Sequence, residues 1–479
     1  MVPASFLVLL AHTLSGAGGP VAALGKPEDA KEIKVGFAQI DVTPKIGDKP
    51  VYIAGFGQNR LAKTAHDPLY ARAMVIETAQ GKKIGMVSVD IVGLFYDFTL
   101  ELRSAATGVD QLIVHATHNH NGPDTLGLWG PAFAVSGVDK TYMAELKTKM
   151  VQVVREAATR LKPCKVRAAS IDAGEYLRDS REPFLPQPEL TVLAFDEAAR
   201  ETAGAKGAAQ GFLLHWNCHP ETVPSEGSEI TADFVGPAMA VLEKKLGCKG
   251  IYLTGTVGGL MTTIGVQVKT KEGKVLKDAS FEKMEAIGKG LGEKALLALE
   301  KAEVVNAGPV VHKSKVVMFP VDNPMFKLGW KLGTLGRPAY EESSPGQYAE
   351  VKPADGGTKR LWMKTEVGLL QLGEIDLLLI PGEIYPELVL GKIQDPVDPG
   401  ADYPDAPVEP GLFPMLSGKF KMIVGLANDE IGYIIPKRQW DEKAPYCYKR
   451  TKAQYGEINS MGSETAPRLS GAVKELLGK

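Results

Sequence analysis

Short apolar runs alternate along the chain with segments of helical periodicity, a pattern typical of α/β proteins. Runs that are rich in β-branched residues and bounded by turn residues predict buried strands. The clearest are residues 83–94, 111–117, 211–220, 250–259, 375–383 and 421–430. We therefore predict an α/β fold: one large domain with mixed sheets flanked by helices, and a functional site at the strand ends.

Three segments have the spacing of amphipathic helices. Residues 139–163 begin at Asp139, a good N-cap, and end at Pro163, which cannot continue a helix. Between them the apolar positions recur at helical spacing: Met143, Leu146, Met150, Val154, Ala157 and Leu161. A second helix is predicted over roughly 280–301, and "TAPRLSGAVKELLGK" predicts a third that closes the chain.

Two long segments read as loops. One covers roughly 320–362, and the other, residues 395–411, is dense in proline and aspartate. Because proline fixes φ and removes a donor, neither segment is expected to form a regular core element. Both are either surface insertions or the walls of a pocket, since long ordered loops are often functional.

The N-terminus has the pattern of a secretory signal peptide over residues 1–23. "SFLVLLAHTL" forms an apolar core, and Val21 and Ala23 are small residues at cleavage-site spacing. No Lys or Arg precedes this core, so a misassigned start or a short buried N-terminal strand are alternatives. We expect a secreted or periplasmic protein with its domain over residues 33–479. No other run approaches the ~20 apolar residues of a membrane span.

Composition narrows the function classes. The 479 residues carry 55 basic and 57 acidic side chains, a net charge of −2, which gives no reason to expect nucleic acid as a partner. Cys164, Cys218, Cys248 and Cys447 are scattered without CxxC spacing, which argues against a zinc-finger or thioredoxin-type site. Disulfides are compatible with export, but the sequence leaves their pairing open.

Candidate metal ligands follow four of the predicted strands. His118 and His120 stand in "LIVHATHNHNGPD", which holds three of the eight histidines. His219, Glu383 and Tyr433 come after later strands. Strand ends of an open α/β sheet converge on one edge, and imidazole and carboxylate groups are suitable zinc ligands. Position alone also fits histidines that are merely hydrogen-bonded to loops.

Several motifs occur in the same order as in a known family. "ATHNHNGPD" resembles the "THTHSGP" motif of the neutral/alkaline (non-lysosomal) ceramidases. "GFAQIDVTP", "AGFG" and "HDPLYARAMVIE" resemble the N-terminal stretch of that family, and "HWNCHPETV" with "ITADFVG" resembles its second histidine motif. "IPGEIYP" and "GLANDEIGYIIP" resemble its glutamate and tyrosine motifs. The resemblance extends from about residue 34 to 460.

The resemblance implies one zinc ion per chain and seven site residues. Its four ligands would be His118, His219, Glu383 and Tyr433. His120 would lie beside the reacting centre, with Arg181 of "RDSREP" holding the reacting carbonyl and Tyr455 of "AQYGE" as a second tyrosine. Asp90 and Asp233 are candidate carboxylates that orient the histidines, or ordinary loop caps. Cys218, next to His219 on an extended segment, should face the core.

One departure from the family concerns the nucleophile. The family has a serine in a "GDVSPN"-like turn, whereas "TVGGLMTT" (256–263) places Met261 there, followed by Thr262 and Thr263. A thioether cannot lose a proton and attack a carbonyl, so the chain implies a zinc-activated water instead. The immunoglobulin-like module of larger family members is also not expected after residue 460.

The implied function is a secreted zinc amidohydrolase that cleaves ceramide, or a similar N-acyl lipid, into a sphingoid base and a fatty acid. Two alternatives stay open: a zinc hydrolase of the same fold that acts on another amide or ester, and an inactive metal-containing binding protein. The expected partner is a small-molecule or lipid amide, with transient contact to a membrane surface. The sequence leaves the oligomeric state open.

Overall fold

A computed structural model describes residues 33–198, 208–355 and 359–479. The predicted signal peptide, residues 1–23, lies outside the described residues. The strands, numbered in chain order, are β1 Ile33–Asp41, β2 Thr64–Ala65, β3 Tyr70–Glu77, β4 Lys83–Val89, β5 Gln111–Ala116, β6 Lys162–Asp172, β7 Arg178–Asp179, β8 Glu189–Glu197, β9 Ala209–Trp216, β10 Glu229–Ile230, β11 Lys249–Thr254, β12 Met261–Thr262, β13 Glu303–Val305, β14 Val310–Val321, β15 Ala339–Ser344, β16 Gln347–Val351, β17 Leu361–Leu372, β18 Ile375–Leu379, β19 Glu383–Ile384, β20 Phe420–Val424 and β21 Tyr433–Ile434.

Two of the three predicted helices begin at a residue whose side chain caps them. The helices are α1 Tyr96–Ala105, α2 Lys140–Thr159, α3 Val235–Leu246, α4 Phe281–Glu300, α5 Pro324–Lys331, α6 Pro386–Leu390, α7 Leu412–Met415 and α8 Thr465–Leu477. The Asp139 side chain accepts a hydrogen bond from the N–H of Thr141 at 2.8 Å and so caps α2 as predicted. Ser280 caps α4 in the same way. The three predicted helices are confirmed.

Two mixed sheets form the centre of the molecule. In the larger sheet the strand order is β11-β9-β8-β6-β1-β3-β4-β5, with β13 added beside β6. The smaller has the order β16-β15-β17-β18-β20, with β14 paired to β17. Parallel pairs occur only at β4–β5, β9–β11 and β18–β20 within these two sheets. The predicted α/β class with mixed sheets is confirmed.

Alternating side chains divide the core into layers. Along β3, Met74 and Ile76 enter a core shared with strands of the smaller sheet, whereas Ala73 and Val75 enter a core shared with α2. In the smaller sheet Leu377 and Leu379 of β18 enter the shared core. The outer face of that sheet packs against α8, and α3 and α4 cover the rest of the larger sheet. Side chains alternate between the two faces of a sheet, and here both faces of each sheet are apolar and covered. The molecule therefore has four layers, in the order helix, sheet, sheet, helix.

The region 320–362 differs from the expectation of a loop without regular structure. It contains α5, β15, β16 and the start of β17. Pro324, one of the five prolines of this region, occupies the first turn of α5, where a missing N–H costs nothing, and the Asn323 side chain accepts from the N–H groups of Met325 and Phe326. Residues 395–411 contain no helix or strand in the described chain, and Tyr403 of this segment packs against Tyr433 and its aromatic neighbours.

No helix in the described ranges combines the length and apolar character that crossing a bilayer requires.

Candidate metal centre

Four strand ends bring the predicted ligands together. His118 follows β5 and His219 follows β9, both in the larger sheet. Glu383 and Tyr433 follow β18 and β20 of the smaller sheet and pair with each other through β19 and β21. Parallel strands present their carboxyl ends at the same edge of a sheet. Each sheet therefore contributes two of the four predicted ligands to one place.

Two imidazoles converge on a single carboxylate oxygen. Nε2 of His219 lies 3.0 Å from Oε2 of Glu383, and Nε2 of His118 lies 3.3 Å from the same atom. The opposite ring nitrogens are held by backbone: Nδ1 of His118 donates to the carbonyl of Val92 at 2.7 Å, and Nδ1 of His219 to that of Met261 at 2.9 Å. These bonds keep a proton on Nδ1 and direct Nε2 toward the position that a metal would occupy.

The backbone of His118, which places its imidazole beside Glu383, has a strained conformation. Its φ is +65°, in the left-handed region that a residue with a side chain rarely adopts. Such strain is retained where the surroundings fix it, most often at functional sites. The side chain of the next residue, Asn119, donates to the carbonyl of Thr231 at 2.7 Å and so anchors the turn.

His120 lies beside this arrangement and has its own carboxylate. Its ring centroid is 4.9 Å from that of His118, and its Nδ1 is 3.3 Å from Oε2 of Glu221. The ligating atoms of His118, His120 and His219 all lie within 4.8 Å of one another, so these three histidines can also hold a metal ion. Gly55 contacts the other side of His120, where any Cβ would come within 2.3 Å of the imidazole.

Burial and charge set the pKa values of these groups. Burial acts to raise the pKa of Glu383, but the charges and hydrogen bonds of His118 and His219 hold it below its ordinary value. Burial acts to lower the pKa of His118, and Glu383 nonetheless raises it to about 9. Burial lowers the pKa of His120 to about 4, against the opposing effect of Glu221. The site therefore favours an ionised Glu383 and a neutral His120.

The two predicted tyrosines occupy different depths. Tyr433 is buried, and burial, followed by the charge of Glu383, raises the pKa of its hydroxyl well above the ordinary value. Tyr455 is 52% exposed, and its ring stands edge-on to that of Tyr433 with the centroids 5.9 Å apart. Burial, followed by the charge of Glu383, raises the pKa of Tyr455 to about 12, so its hydroxyl keeps a proton that it can donate.

The guanidinium of Arg181 is buried and paired with groups other than the proposed metal ligands. Its side chain is 3% exposed and forms a bidentate ion pair with Glu457, with N–O distances of 2.7 and 3.1 Å. The guanidinium also donates to the carbonyls of Gln439 and Tyr455. The structure thus places Arg181 behind the segment that carries Tyr455, and its predicted contact with a reacting carbonyl stays a prediction.

The other carboxylates have partners elsewhere. Asp90 forms a buried ion pair with Arg72, at 2.7 Å, and Asp233 accepts from the N–H groups of Thr222 and Val223. The groups that orient the rings of His118 and His219 are therefore backbone carbonyls rather than the carboxylates suggested by the sequence. Both predicted carboxylates act as local anchors, the alternative that the sequence left open.

Cys218 lies in the core, as the sequence predicted, and so does His115, the first histidine of "LIVHATHNHNGPD". His115 is buried in β5, where Ser88 and the N–H of Thr254 bond its two ring nitrogens. Cys218 belongs to the core between the larger sheet and α3, and burial raises the pKa of its thiol well above the ordinary value. Neither side chain has the properties of a ligand or nucleophile.

A mostly apolar cavity opens onto the cluster. Its apolar walls include Phe95, Leu126, Leu128, Trp129, Phe326, Leu335, Met363 and Met461. Its polar lining consists of His118, His120, Arg337, Glu383, Glu430, Tyr433, Tyr455 and Asn459. A pocket that is mainly apolar with a few convergent polar groups is typical of small-molecule and lipid sites. The region 320–362 supplies part of this wall, which confirms the second of its two interpretations.

Sequence reasoning missed two carboxylates of the site. Glu221 stands two positions after His219 in "HPETV", and that spacing could have suggested a partner for a neighbouring histidine. Glu430 lines the cavity, with Oε1 accepting from the N–H of Gly432 at 2.6 Å and Oε2 without a hydrogen-bond partner. Nothing in the pattern around Glu430 distinguishes it from a surface acid in a loop.

Comparison with known proteins gives a match in structure. No family model and no curated protein sequence matches the chain. The crystal structure of neutral ceramidase from Pseudomonas aeruginosa superposes with a TM-score of 0.66 and 16% identity, covering 93% of this chain and 74% of that one. The chain has the neutral ceramidase fold. A ceramidase complexed with C2 matches with a TM-score of 0.67, at the same identity and coverage. The predicted resemblance to neutral ceramidase is confirmed at the level of the fold.

Proposed function

We propose that this chain is a zinc-dependent hydrolase that cleaves the amide bond of an N-acyl lipid of the ceramide type. The observation that carries the proposal is the convergence of His118 and His219 on Glu383. Two ligands at ~2.05 Å in a tetrahedral zinc site lie about 3.3 Å apart. The separations of 3.0 and 3.3 Å are close to that value, so the spacing of each imidazole from Glu383 fits a shared zinc ion.

The ligand set that fits best is His118, His219, Glu383 and Tyr433. A set that replaces Glu383 by His120 is also compatible with the positions of the rings. Glu383 is favoured because it is buried at the point where both Nε2 atoms are directed and because it is held ionised. His120, whose Nδ1 lies 3.3 Å from the carboxylate of Glu221, then remains free to act on the substrate.

The chemistry divides between the metal and the residues around it. When bound, zinc supplies Lewis acidity, which polarises a carbonyl oxygen and activates a water. Glu221 orients His120 so that Nε2 faces the reacting carbonyl, where it can accept a proton and return it to the leaving amine. Tyr455, at the cavity mouth, can donate a hydrogen bond to the oxygen on which charge develops.

Met261 contributes its backbone rather than its side chain. The thioether is buried in the core, while the carbonyl accepts from both the N–H and Nδ1 of His219. This supports a reaction in which water, and not a serine at this position, attacks the carbonyl. It also means that a change of side chain at Met261 can leave the histidine in place.

A second candidate is a zinc hydrolase for a different amide or ester. The observation in its favour is Glu430, a buried carboxyl group that lines the mostly apolar cavity and whose Oε2 lacks a hydrogen-bond partner. A buried polar atom without a partner costs about 1–3 kcal/mol, so a substrate group that hydrogen-bonds to it would gain affinity. Such a substrate would carry a hydroxyl or amine close to the scissile bond.

The test is hydrolysis of a fluorescent short-chain ceramide by the zinc-loaded protein, with and without a chelator. We expect release of the acyl chain that the chelator abolishes and that added zinc restores. If the protein binds about one zinc per chain but releases nothing, ceramide is the wrong substrate. A panel of N-acyl amino acids, peptides and simple esters then identifies the second candidate.

Two variants test the ligand assignment. His118→Ala should lose zinc and turnover together, because a water molecule in place of the buried imidazole would bind zinc more weakly. The matched control is His312→Ala, since His312 is a half-buried histidine that bonds to Gln111 away from the cluster. Full zinc occupancy in His118→Ala would disprove the assignment, as would an equal loss of zinc in the control.

A further inference from the structure

Exposed apolar side chains concentrate around the mouth of the cavity. Fifteen large hydrophobic side chains are exposed in the described part of the chain, and seven of them lie on only three short segments. These seven, which we call the apolar rim, are Phe133, Val135, Met325, Leu328, Leu332, Tyr455 and Ile458. Single exposed hydrophobic residues are ordinary, whereas a contiguous group of this kind marks an interaction surface.

Each of the three segments also contributes to the cavity wall. Leu128 and Trp129 line the cavity shortly before Phe133, and Asn459 lines it next to Ile458. Phe326 lines it from α5, the helix that carries Met325 and Leu328 and is followed directly by Leu332. The rim is therefore the outer edge of the same walls that enclose the proposed substrate site.

The helix α5 has its apolar stripe turned toward solvent. Met325, Leu328 and Leu332 are spaced by three and four residues, so they lie on one face, and they are 41, 38 and 55% exposed. A helix on a globular protein normally turns such a stripe to the core. Here Trp330 already fills the core side of the helix and is buried.

Hydrogen bonds join the three segments into one surface. The Thr334 hydroxyl, just after α5, donates to the carbonyl of Ala134 at 2.8 Å. Just before α5, Asn323 Nδ2 donates to the carbonyl of Ile458 at 2.7 Å. The rim residues consequently hold fixed positions relative to one another around the mouth.

We propose that the apolar rim inserts into a lipid–water interface and seats the cavity mouth on a membrane surface. The proposal rests on the lipid substrate proposed above, because an apolar rim around an apolar cavity lets a lipid pass from the acyl layer to the metal centre without crossing water. A protein partner or a second copy on this surface would block the entrance instead. Lys327 and Lys331 of α5 can reach head-group phosphates while their stems follow the apolar surface.

The test is binding of the zinc-loaded protein to unilamellar vesicles by flotation, and the vesicles contain no N-acyl lipid, so turnover plays no part. Vesicles of phosphatidylcholine alone are compared with vesicles that also contain phosphatidylglycerol. We expect the wild-type protein to float with both and more strongly with the second, because of the two lysines. Leu328→Ser combined with Leu332→Ser should weaken binding by about tenfold or more, since two apolar side chains no longer leave water when the protein binds.

The matched control is Leu100→Ser with Leu297→Ser, two leucines that are exposed to a similar degree, 39 and 49%, outside the rim. It should bind vesicles as the wild type does. Wild-type protein that fails to float, or equal losses in both double variants, would overturn the proposal. Concentration-dependent dimers that the rim variant abolishes, without vesicle binding, would assign the rim to a second copy.

The outcome also separates this proposal from the proposed function. With a water-soluble short-chain substrate, the rim variant should keep its zinc and its turnover, because none of the changed side chains lines the cavity. Vesicle binding without hydrolysis of any N-acyl lipid would refute the substrate and leave the docking surface standing. Hydrolysis with no vesicle binding would refute the docking surface alone.

Discussion

The ion pair of Arg181 gives the sharpest test of how this site is built. We expect Arg181→Met to act mainly on stability, because it leaves Glu457 buried without its cation; both side chains are 3% exposed. Removing one partner of such a pair costs about 3–5 kcal/mol. With an unfolding entropy near 2.1 cal/mol/K per residue, a chain of this size loses roughly 1 °C of Tm per kcal/mol, so Tm should fall by about 3–5 °C.

The assay combines calorimetry with steady-state turnover. Arg360→Met is the control, since Arg360 pairs with Asp322 while both are over 40% exposed, and such pairs contribute about 0–1 kcal/mol. Turnover of Arg181→Met should fall only to the extent that loss of the Arg181 side chain displaces Tyr455, whose carbonyl accepts a hydrogen bond from Arg181. An unchanged Tm together with a loss of ~10² or more in kcat would refute this reasoning and make Arg181 a residue that contacts the substrate.

Three further predictions follow from the surroundings of the metal centre. Gly55→Ala should lower kcat by about 10², because the added Cβ would displace the His120 ring and because the φ of Gly55 is +102°. The control Gly57→Ala has open space around the added Cβ and should behave as wild type, so equal activity of the two variants would contradict this prediction. Glu221→Gln should lower kcat for an alkyl amide far more than for an activated ester while zinc content, measured by atomic absorption, stays the same; loss of zinc would make His120 a ligand. Cys218→Ala should retain turnover of the same order, since burial keeps its thiol protonated, and an inactive variant that still binds zinc would point to a nucleophile.

Local pattern was enough to predict the strands and the residues that follow them. Runs of β-branched residues ended at His118, His219, Glu383 and Tyr433, and the structure brings these four side chains to one place. The period of two along each strand, together with turn residues, carries this information in the sequence itself. The order of four motifs then gave the fold, which the structural comparison confirmed.

Local sequence pattern could not predict contacts between residues that are far apart along the chain. Arg181 meets Glu457 across 276 positions of the chain, so no window could show that its charge is already compensated. The helix α5 was missed because a proline at its first turn looks the same as a proline in a loop. Glu430 and the apolar rim depend on which face of a loop or helix meets solvent, and this is decided by neighbours that are distant in sequence.

The division of the proposed ligands between the two sheets has a thermodynamic consequence. His118 and His219 belong to one sheet, and Glu383 and Tyr433 follow strands of the other, so a metal with full affinity can bind only when the two halves are docked. Binding that is restricted to one state stabilises it by RT ln(1 + [L]/Kd), about 4 kcal/mol at a thousandfold excess over Kd. Free zinc in the medium would then govern how long the halves stay together, and scarcity of zinc would appear as a shorter lifetime of the protein before it appears as slower turnover.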